Sequence, residues 1–300
     1  MKTMGTRTSR RALLSFGAGA ALTAVLPTVA YASARGVPAR MRELEREYDA
    51  RLGVFALDTG TGRTVAHRAD ELFPVCSVSK TLAVGAVLRD LDRDGEYLAR
   101  RVRYTEDDVK TAGHIPVTGA PENIANGLTV EELCAAAVSC SDNGAMNLLM
   151  RGLGGPAAVT RFCRSLGDPT TRLDRWEPDL NSAEPGRVTD TTSPRAIGQT
   201  YARLAVGRAL DAGDRKRLAG WLVANTTGDA RIRAGVPAGW TVGDKTGTGR
   251  YGTTNDVGIA WPQDRAPIAL AFLSTRQEQD AKAVDGLIAE ATALAVTALG

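Results

Sequence analysis

The sequence has 300 residues, of which 43% are hydrophobic and 24% are charged, as in an ordinary globular protein. That length allows one or two domains with a sizeable core. The formal net charge is only +3, and the basic residues are spread along the chain without interleaved aromatic residues. This distribution argues against nucleic acid as a partner.

Histidine and cysteine usage argues against a metal centre. The two histidines are too few for a multi-histidine zinc site, and the four cysteines lack the paired spacing of zinc ligands. A protein of this size does not need disulfides, so the cysteines are expected to be mostly buried free thiols, and no cofactor is expected. A Ser-His-Asp hydrolase is also disfavoured, because no Gly-x-Ser-x-Gly elbow is present. The residues concerned are His67, His114, Cys76, Cys134, Cys140 and Cys163.

The first 34 residues have the pattern of a secretory signal peptide. A basic start precedes an apolar stretch at 12–26, and small residues ending at Ala34 form a cleavage site. Arg10 and Arg11 resemble the paired arginines of a twin-arginine export signal. The apolar stretch is short for a membrane span, and no cysteine stands at the cleavage point to carry a lipid. We therefore expect residues 1–34 to be removed and the protein to be secreted without a stable membrane anchor.

After this leader, the chain is predicted to open with an amphipathic helix and two strands. The strands are predicted at 54–58 and 63–67, on either side of a glycine-containing turn. The helix is predicted from apolar residues at helical spacing. These residues are Met41, Leu44, Tyr48 and Leu52.

The middle of the chain is predicted to be mostly helical. Residues 81–88 are apolar on every side, as expected of a helix buried at the centre of a domain. Further helices are predicted at 129–140, 145–153 and 194–204. The segment 172–190 has no periodic pattern and is rich in Pro, Asp and Glu. A structureless segment of this length inside a compact domain usually has a function.

The end of the chain predicts three more strands, at 240–244, 256–261 and 268–274, and a final helix. The apolar face of that helix is formed by Val284, Leu287, Ile288, Ala291 and Ala295.

Together the elements indicate an α+β fold, in which an antiparallel five-stranded sheet is flanked by the N- and C-terminal helices. The sheet domain is predicted to comprise residues 35–76 and 227–300. An all-helical domain, residues 77–226, is inserted between these parts and includes the segment 172–190.

Ser77-Val78-Ser79-Lys80 leads directly into the apolar helix. If Ser77 begins that helix, Lys80 lies one turn later on the same face. The helix amides then point at Ser77, where an oxyanion can form, and Lys80 can stabilise the alkoxide or take its proton. A capping serine beside a surface lysine has the same spacing. The apolar run after Lys80 favours the functional interpretation, because a lysine leading into a buried helix needs a specific partner.

Ser141-Asp142-Asn143 is a second short motif, and it is weak alone. Most such tripeptides are loops or helix N-caps. In a catalytic site, Ser141 would relay a proton to a leaving nitrogen, and Asn143 would donate an amide hydrogen bond to a substrate.

Lys245-Thr246-Gly247, followed by Thr248, is predicted at the end of a strand. The motif is either a hairpin turn or a carboxylate-binding site, in which the glycine lets a ligand approach the strand edge. It is not a phosphate loop, because the glycine spacing of that motif is missing.

Glu177 lies in the irregular segment between a tryptophan and a proline. Asn181, four residues later, can help it to hold one water, and Glu177 would then be a general base worth about 10²–10⁴-fold in rate. A solvated surface carboxylate is the ordinary alternative. Arg175 and Asp190 can pair to clamp the segment, an interaction that matters only if the pair is partly buried.

In this order, the four motifs resemble those of the class A serine β-lactamases, of the actinobacterial type, over essentially the whole chain after residue 34. The resemblance implies a monomer that hydrolyses the β-lactam amide bond of penicillins and cephalosporins, giving antibiotic resistance. It implies Ser77 as the nucleophile that forms an acyl-enzyme, with the backbone amides of Ser77 and Thr248 as the oxyanion hole. Glu177 with Asn181 would activate the deacylating water. Lys80 and Glu177 are both candidates for the base in acylation.

The same resemblance assigns the remaining roles. Ser141 and Lys245 would assist protonation of the leaving nitrogen, and Asn143 would contact the substrate side chain. His114 matches a position where an aromatic residue often edges the pocket, although an exposed loop histidine is the ordinary alternative. The other substrate-binding residues implied are Thr246, Gly247, Thr248 and Arg231.

Three departures limit what the resemblance implies. Thr254 stands where many members have an arginine, and Arg231 matches the arginine that fills this gap in a subset. Val84 stands where a disulfide partner for Cys134 would lie. Gly249 occupies the partner position for the cysteine before the nucleophile in several carbapenem-hydrolysing members, so carbapenem hydrolysis is not implied.

Two alternatives share the serine, Ser-x-Asn and Lys-Thr-Gly motifs. One is a D-alanyl-D-alanine peptidase or transpeptidase, and the other is a β-lactam sensor that stays acylated. Both normally lack the Glu-x-x-Leu-Asn segment found here at 177–181. A sensor would also need a membrane anchor, so the segment and the cleavable leader favour the hydrolase.

Overall fold

The structure is a computed structural model that describes residues 36–300. The predicted signal peptide lies outside this range. The strands found within the range are β1 (Arg51–Asp58), β2 (Thr64–His67), β3 (Phe73–Pro74), β4 (Arg101–Val102), β5 (Leu128–Thr129), β6 (Thr191–Thr192), β7 (Thr241–Thr248), β8 (Thr254–Trp261) and β9 (Ile268–Thr275).

The helices begin with α1, which has a proline in its first turn and buries Met41 and Leu44. Three 3₁₀ turns, Cys76–Val78, Lys110–Ala112 and Asp179–Asn181, and one π turn, Val87–Leu91, are also present in the described range. The α-helices are α1 (Val37–Glu47), α2 (Ser79–Ala86), α3 (Glu96–Ala99), α4 (Glu106–Val109), α5 (Pro121–Asn126), α6 (Val130–Ser139), α7 (Asn143–Leu153), α8 (Pro156–Ser165), α9 (Pro194–Ala205), α10 (Ala212–Val223), α11 (Ile232–Gly235) and α12 (Asp285–Leu299).

One sheet combines the two ends of the described chain, and its strand order is β2-β1-β9-β8-β7. Every neighbouring pair is antiparallel, with Arg51 opposite Thr275 in the β1–β9 pair and Thr248 opposite Thr254 in the β7–β8 pair. The predicted α+β fold, with five antiparallel strands and flanking terminal helices, is confirmed.

The sheet separates two hydrophobic cores because side chains alternate along its central strand. On β9, Leu270 and Phe272 pack in the core that includes residues of α1 and α12. Ala271 and Leu273, between and after them, pack in the core formed with the inserted helices. Among the described residues, none of the helices has the length and apolar character needed to span a membrane.

The helix after Ser77 lies at the centre of the second core. All eight residues of α2 are buried, including Ser79 and Lys80, as expected of a helix that contains most of the apolar run 81–88. A Cβ at Gly85 would lie 3.1 Å from a Leu204 methyl carbon and 3.2 Å from the ring of Phe162, so α2 packs tightly against α8 and α9. This packing fixes the beginning of α2, where the serine-lysine motif lies. The predicted boundaries between the sheet and helical domains stay a prediction.

Several element bounds differ from the predictions. Leu52, predicted on the first helix, lies in β1, because the chain turns at Asp49 with φ +46° and the helix ends at Glu47. Val284 precedes α12 as its N-cap residue. Helix α10 was not predicted, since it buries only Asp214, Leu218 and Leu222 and so lacks a broad apolar stripe.

Candidate active site

Ser77 lies in the 3₁₀ turn that continues into α2, and it is 8% exposed. The preceding residue, Cys76, has φ +45°, so the chain turns sharply before the serine. A Cβ at Gly247 on β7 would lie 3.3 Å from the Ser77 backbone nitrogen. The end of β7, which also carries Thr248, therefore runs beside the serine amide, as an oxyanion hole built from the amides of Ser77 and Thr248 requires.

Lys80 lies one turn after Ser77 with its ammonium fully buried. Its Nζ donates to Ser77 Oγ at 2.8 Å, as predicted from the spacing. It also donates to Ser141 O at 3.0 Å, to Ser141 Oγ at 3.3 Å and to Asn143 Oδ1 at 2.6 Å. Glu177 Oε1 lies 3.0 Å from Nζ. One buried cation therefore joins residues of three of the predicted motifs.

Glu177 is buried, and its side chain lies between Lys80 and Asn181. Asn181 Nδ2 donates to Glu177 Oε2 at 2.5 Å. Asn181 Oδ1 is a buried atom for which no hydrogen-bond partner is found among residues 36–300, and Glu177 Oε1 has only the ion-pair contact with Lys80 Nζ at 3.0 Å. Buried polar atoms normally have a partner, and a bound water supplies it where protein groups do not. The two oxygens are suited to hold one water.

Asn147 holds the backbone of Glu177, and sequence reasoning missed it. Asn147 Nδ2 donates to Glu177 O at 3.0 Å, and the Glu177 backbone N–H donates to Asn147 Oδ1 at 3.0 Å. Asn147 lies four residues after Asn143 on α7, so both side chains point to the same face of the helix. The four-residue spacing from Asn143 was the sequence signal that could have placed Asn147 at the site.

The predicted clamp of the segment 172–190 is present. Arg175 Nε donates to Asp190 Oδ2 at 2.5 Å, and Asp190 is 1% exposed. Asp190 Oδ1 also accepts from the backbone N–H groups of Asp174 and Arg175, at 2.7 and 3.0 Å. The N–H of Val75, two residues before Ser77, donates to Asp190 O at 2.8 Å. The clamp thus holds both the segment of Glu177 and the turn of Ser77.

Ser141 and Asn143, the outer residues of the second motif, both contact Lys80 Nζ. Asn143 is fixed by two further bonds, since its Nδ2 donates to Ala112 O at 2.7 Å and its N–H donates to His114 O at 2.8 Å. The exposed His114 ring contacts Cys140 O through Nε2 at 3.1 Å. His114 therefore lies beside Ser141 and Asn143, at the edge of the site, as its predicted position requires.

Lys245 lies on β7 and is completely buried. Within the described chain its Nζ donates to one oxygen, Thr246 O, at 3.0 Å. Burial, followed by the positive charge of Lys80, lowers the pKa of Lys245 to about 7. A buried ammonium with spare donors is suited to bind a carboxylate ligand.

Arg231 reaches the Lys-Thr-Gly strand, as expected of an arginine that compensates for Thr254. Its Nη2 donates to Thr248 Oγ1 at 2.9 Å, and its Nη1 donates to Gly247 O at 3.1 Å. Arg231 is 7% exposed and pairs with Asp285, whose Oδ1 lies 2.7 Å from Nε. Thr227 was not predicted as a site residue. Its hydroxyl oxygen lies 2.5 Å from the hydroxyl oxygen of Thr246. Two hydroxyls and a guanidinium therefore accompany Lys245 on one side of the site.

The cysteine predictions are confirmed in this structure. All four cysteines are free, and three of them are buried. A Cβ at Gly249 would lie 2.8 Å from Cys76 Sγ, so this position faces the thiol and offers it no sulfur partner.

Comparison with known proteins agrees with this arrangement. Residues 37–299 match the model of the β-lactamase enzyme family. The chain is 61% identical to the β-lactamase of Streptomyces lavendulae over the full length of both chains, and 62% identical to that of Streptomyces fradiae over 98% of this chain and 97% of the relative.

The solved structures give the same result. The β-lactamase from Streptomyces albus G superposes with a TM-score of 0.85 at 64% identity, covering 86% of this chain and 97% of the other. An ancestral class A β-lactamase gives 0.82 at 51% identity, covering 87% and 98%. The fold and its neighbours are those of the class A β-lactamases. The chain belongs to the β-lactamase enzyme family and is an enzyme that hydrolyses β-lactams, an activity that confers antibiotic resistance.

Proposed function

We propose that the protein hydrolyses penicillins and cephalosporins through an acyl-enzyme on Ser77 Oγ, which a water activated by Glu177 releases. The observation that carries this proposal is the environment of Glu177. Its carboxylate is buried, contacts Lys80 and Asn181, and lies beside Asn181 Oδ1, a buried oxygen without a donor in the described range. A general base requires such contact with the water that it deprotonates.

In acylation, we assign the first proton transfer to Lys80. Its Nζ lies 2.8 Å from Ser77 Oγ and 3.0 Å from Glu177 Oε1, so a proton can pass from the ammonium to Glu177. The neutral amine then accepts the Ser77 proton as Oγ attacks the lactam carbonyl. The new oxyanion accepts hydrogen bonds from the amides of Ser77 and Thr248.

Ring opening requires a proton on the lactam nitrogen. Ser141 Oγ lies 3.3 Å from Lys80 Nζ, and we propose that Ser141 carries the proton from Lys80 to this nitrogen. Lys245 supports this step electrostatically. Glu177 then returns the proton it took to Lys80, so that its carboxylate is free again. In deacylation, water adds to the ester carbonyl and gives its proton to Glu177, and this proton passes through Lys80 to the Ser77 oxygen as the ester bond breaks.

Substrate binding is assigned to groups on both sides of Ser77. The ammonium of Lys245 and the hydroxyls of Thr246 and Thr248 bind the substrate carboxylate, and Gly247 leaves the strand edge open. Asn143 donates to the acylamino side chain. Arg231 adds positive charge beside Thr248, and His114 borders the entrance.

Repeated turnover tests this function. The purified protein should hydrolyse a chromogenic cephalosporin and benzylpenicillin many times per molecule, and a chelator should leave the rate unchanged. A single burst equal to the enzyme concentration, without further turnover, would instead support the peptidase or sensor alternative.

The pH dependence of binding tests Lys245. Its ammonium form exists below the pKa of about 7, so kcat/KM for benzylpenicillin should fall as pH rises above this value. Lys245→Arg keeps the charge over the whole range, so its alkaline decline should move to higher pH. A decline at the same pH in both proteins would show that another group titrates.

We also propose that the protein is exported by the twin-arginine route, cleaved after Ala34, and active as a secreted monomer without a membrane anchor. Support comes from the basic start, the apolar stretch and the small-residue cleavage site of residues 1–34. N-terminal sequencing of protein from culture medium should begin at Arg35.

A further inference from the structure

A cavity of about 810 Å³ lies behind the segment 172–190, and none of Ser77, Lys80 or Glu177 lines it. One wall is formed by α1 and the start of β1, and the opposite wall by residues 183–187 and 189–191. Its size is within the range of ordinary small-molecule sites. The cavity is therefore distinct from the candidate active site, although both share the segment that carries Glu177.

The lining of the cavity is positively charged. Seven guanidinium groups line it against four carboxylates. The carboxylates are Glu45, Asp49, Glu184 and Asp190, and the guanidinium groups belong to Arg42, Arg46, Arg51, Arg68, Arg175, Arg187 and Arg276.

Two of these arginines have no acidic partner within the described chain. Arg42 and Arg46 are exposed residues one turn apart on α1, so both can reach one ligand. The others are paired, for example Arg68 with Glu45 and Arg276 with Asp49. Arg42 and Arg46 are therefore the cations most available to an anion.

The base of the cavity is apolar. Phe73 is completely buried with Arg51 stacked on its ring, 3.9 Å from the guanidinium carbon to the ring centre. Leu180 and Ala183 also line the cavity, and Leu72 remains 39% exposed there. An inorganic anion would leave this apolar surface in water, whereas a molecule with a hydrocarbon part would cover it.

We propose that this cavity is a second binding site, for a small amphiphilic carboxylate whose hydrocarbon part covers Leu72 and whose carboxylate meets Arg42 and Arg46. The site does not depend on the hydrolytic mechanism, because its contacts exclude the reacting groups. A ligand there would nevertheless contact the segment that carries Glu177.

Calorimetric titration of the purified protein with decanoate tests the site. Decanoate should bind, whereas 1-decanol, which lacks the charge, and inorganic phosphate, which lacks the chain, should bind at least about tenfold more weakly. The double variant Arg42→Gln/Arg46→Gln should raise the dissociation constant of decanoate by about tenfold or more, which corresponds to 1.4 kcal/mol.

The matched control is Arg161→Gln/Arg208→Gln. It removes the same charge from two exposed arginines that do not line the cavity, so decanoate should bind to it as to the wild type. The proposal is overturned if decanoate does not bind, or if Arg42→Gln/Arg46→Gln binds it unchanged. It is also overturned if phosphate or 1-decanol binds as tightly as decanoate.

Discussion

Glu177→Ala should form the acyl-enzyme and then fail to release it. Intact-protein mass should increase by the mass of one benzylpenicillin, and steady-state kcat should fall by about 10²–10⁴-fold, as expected when a general base is lost. The reason is that, without the Glu177 carboxylate, Lys80 can pass its proton to water and still accept the Ser77 proton across 2.8 Å, whereas the deacylating water has no other base. Glu177→Gln keeps the side-chain volume, and it should also accumulate the acyl-enzyme and lower kcat.

Asp179→Ala is the matched control for this experiment. Asp179 lies on the same segment, two residues after Glu177, but its side chain is exposed. The variant removes an equal charge and should turn over benzylpenicillin at close to the wild-type rate. If Glu177→Ala deacylates as fast as the wild type, Glu177 is not the base and the proposed mechanism is wrong.

Ser77→Ala should abolish acylation altogether. Without Oγ no ester can form, so the mass should stay unchanged after incubation with substrate, and kcat should fall by about 10⁴-fold or more. Lys80 retains Ser141, Asn143 and Glu177 as partners. The folded structure should therefore persist, which circular dichroism can verify.

Ser79→Ala controls for the loss of a hydroxyl in the same turn. Ser79 is buried, and its Oγ donates to Cys76 O at 2.8 Å. Its removal should cost about 1 kcal/mol of stability and leave acylation intact. Acylation of Ser77→Ala at any measurable stoichiometry would place the nucleophile elsewhere.

The parts of the fold that follow from periodicity were predictable. The strands of the sheet were predicted near their observed positions, because short apolar runs bounded by polar or turn residues mark β1 and β9, whose side chains pack in both cores. The residues at which helices and strands begin and end were less predictable. Leu52 continues the helical spacing of Met41 and Leu44, yet a turn at Asp49 places it in a strand.

The site was predictable where chemistry depends on local spacing. Ser77 and Lys80 are one helical turn apart, and Asn181 is one turn after Glu177, so each pair meets within its own segment. Asn147 was missed because its partner is the backbone of a segment 30 residues away. The spacing from Asn143 marks the face of α7 on which Asn147 lies, but it does not identify this backbone partner.

Arg231 was predicted because an arginine that many family members have is missing at Thr254. The resemblance to the class A β-lactamases implied that Arg231 replaces the arginine missing near Thr254, and the guanidinium of Arg231 lies 2.9 Å from Thr248 Oγ1. Periodicity alone does not identify it, because it precedes the short helix α11 in an irregular stretch.

Gly249 constrains how the enzyme can change by mutation. A Cβ there would lie 2.8 Å from Asn181 O and 2.8 Å from Cys76 Sγ, so even alanine requires the backbone to move. Because Asn181 contacts Glu177, that movement would also displace the proposed deacylating base. A side chain gained at this position would therefore begin with a loss of turnover, and a second, compensating substitution would have to follow in the segment 172–190.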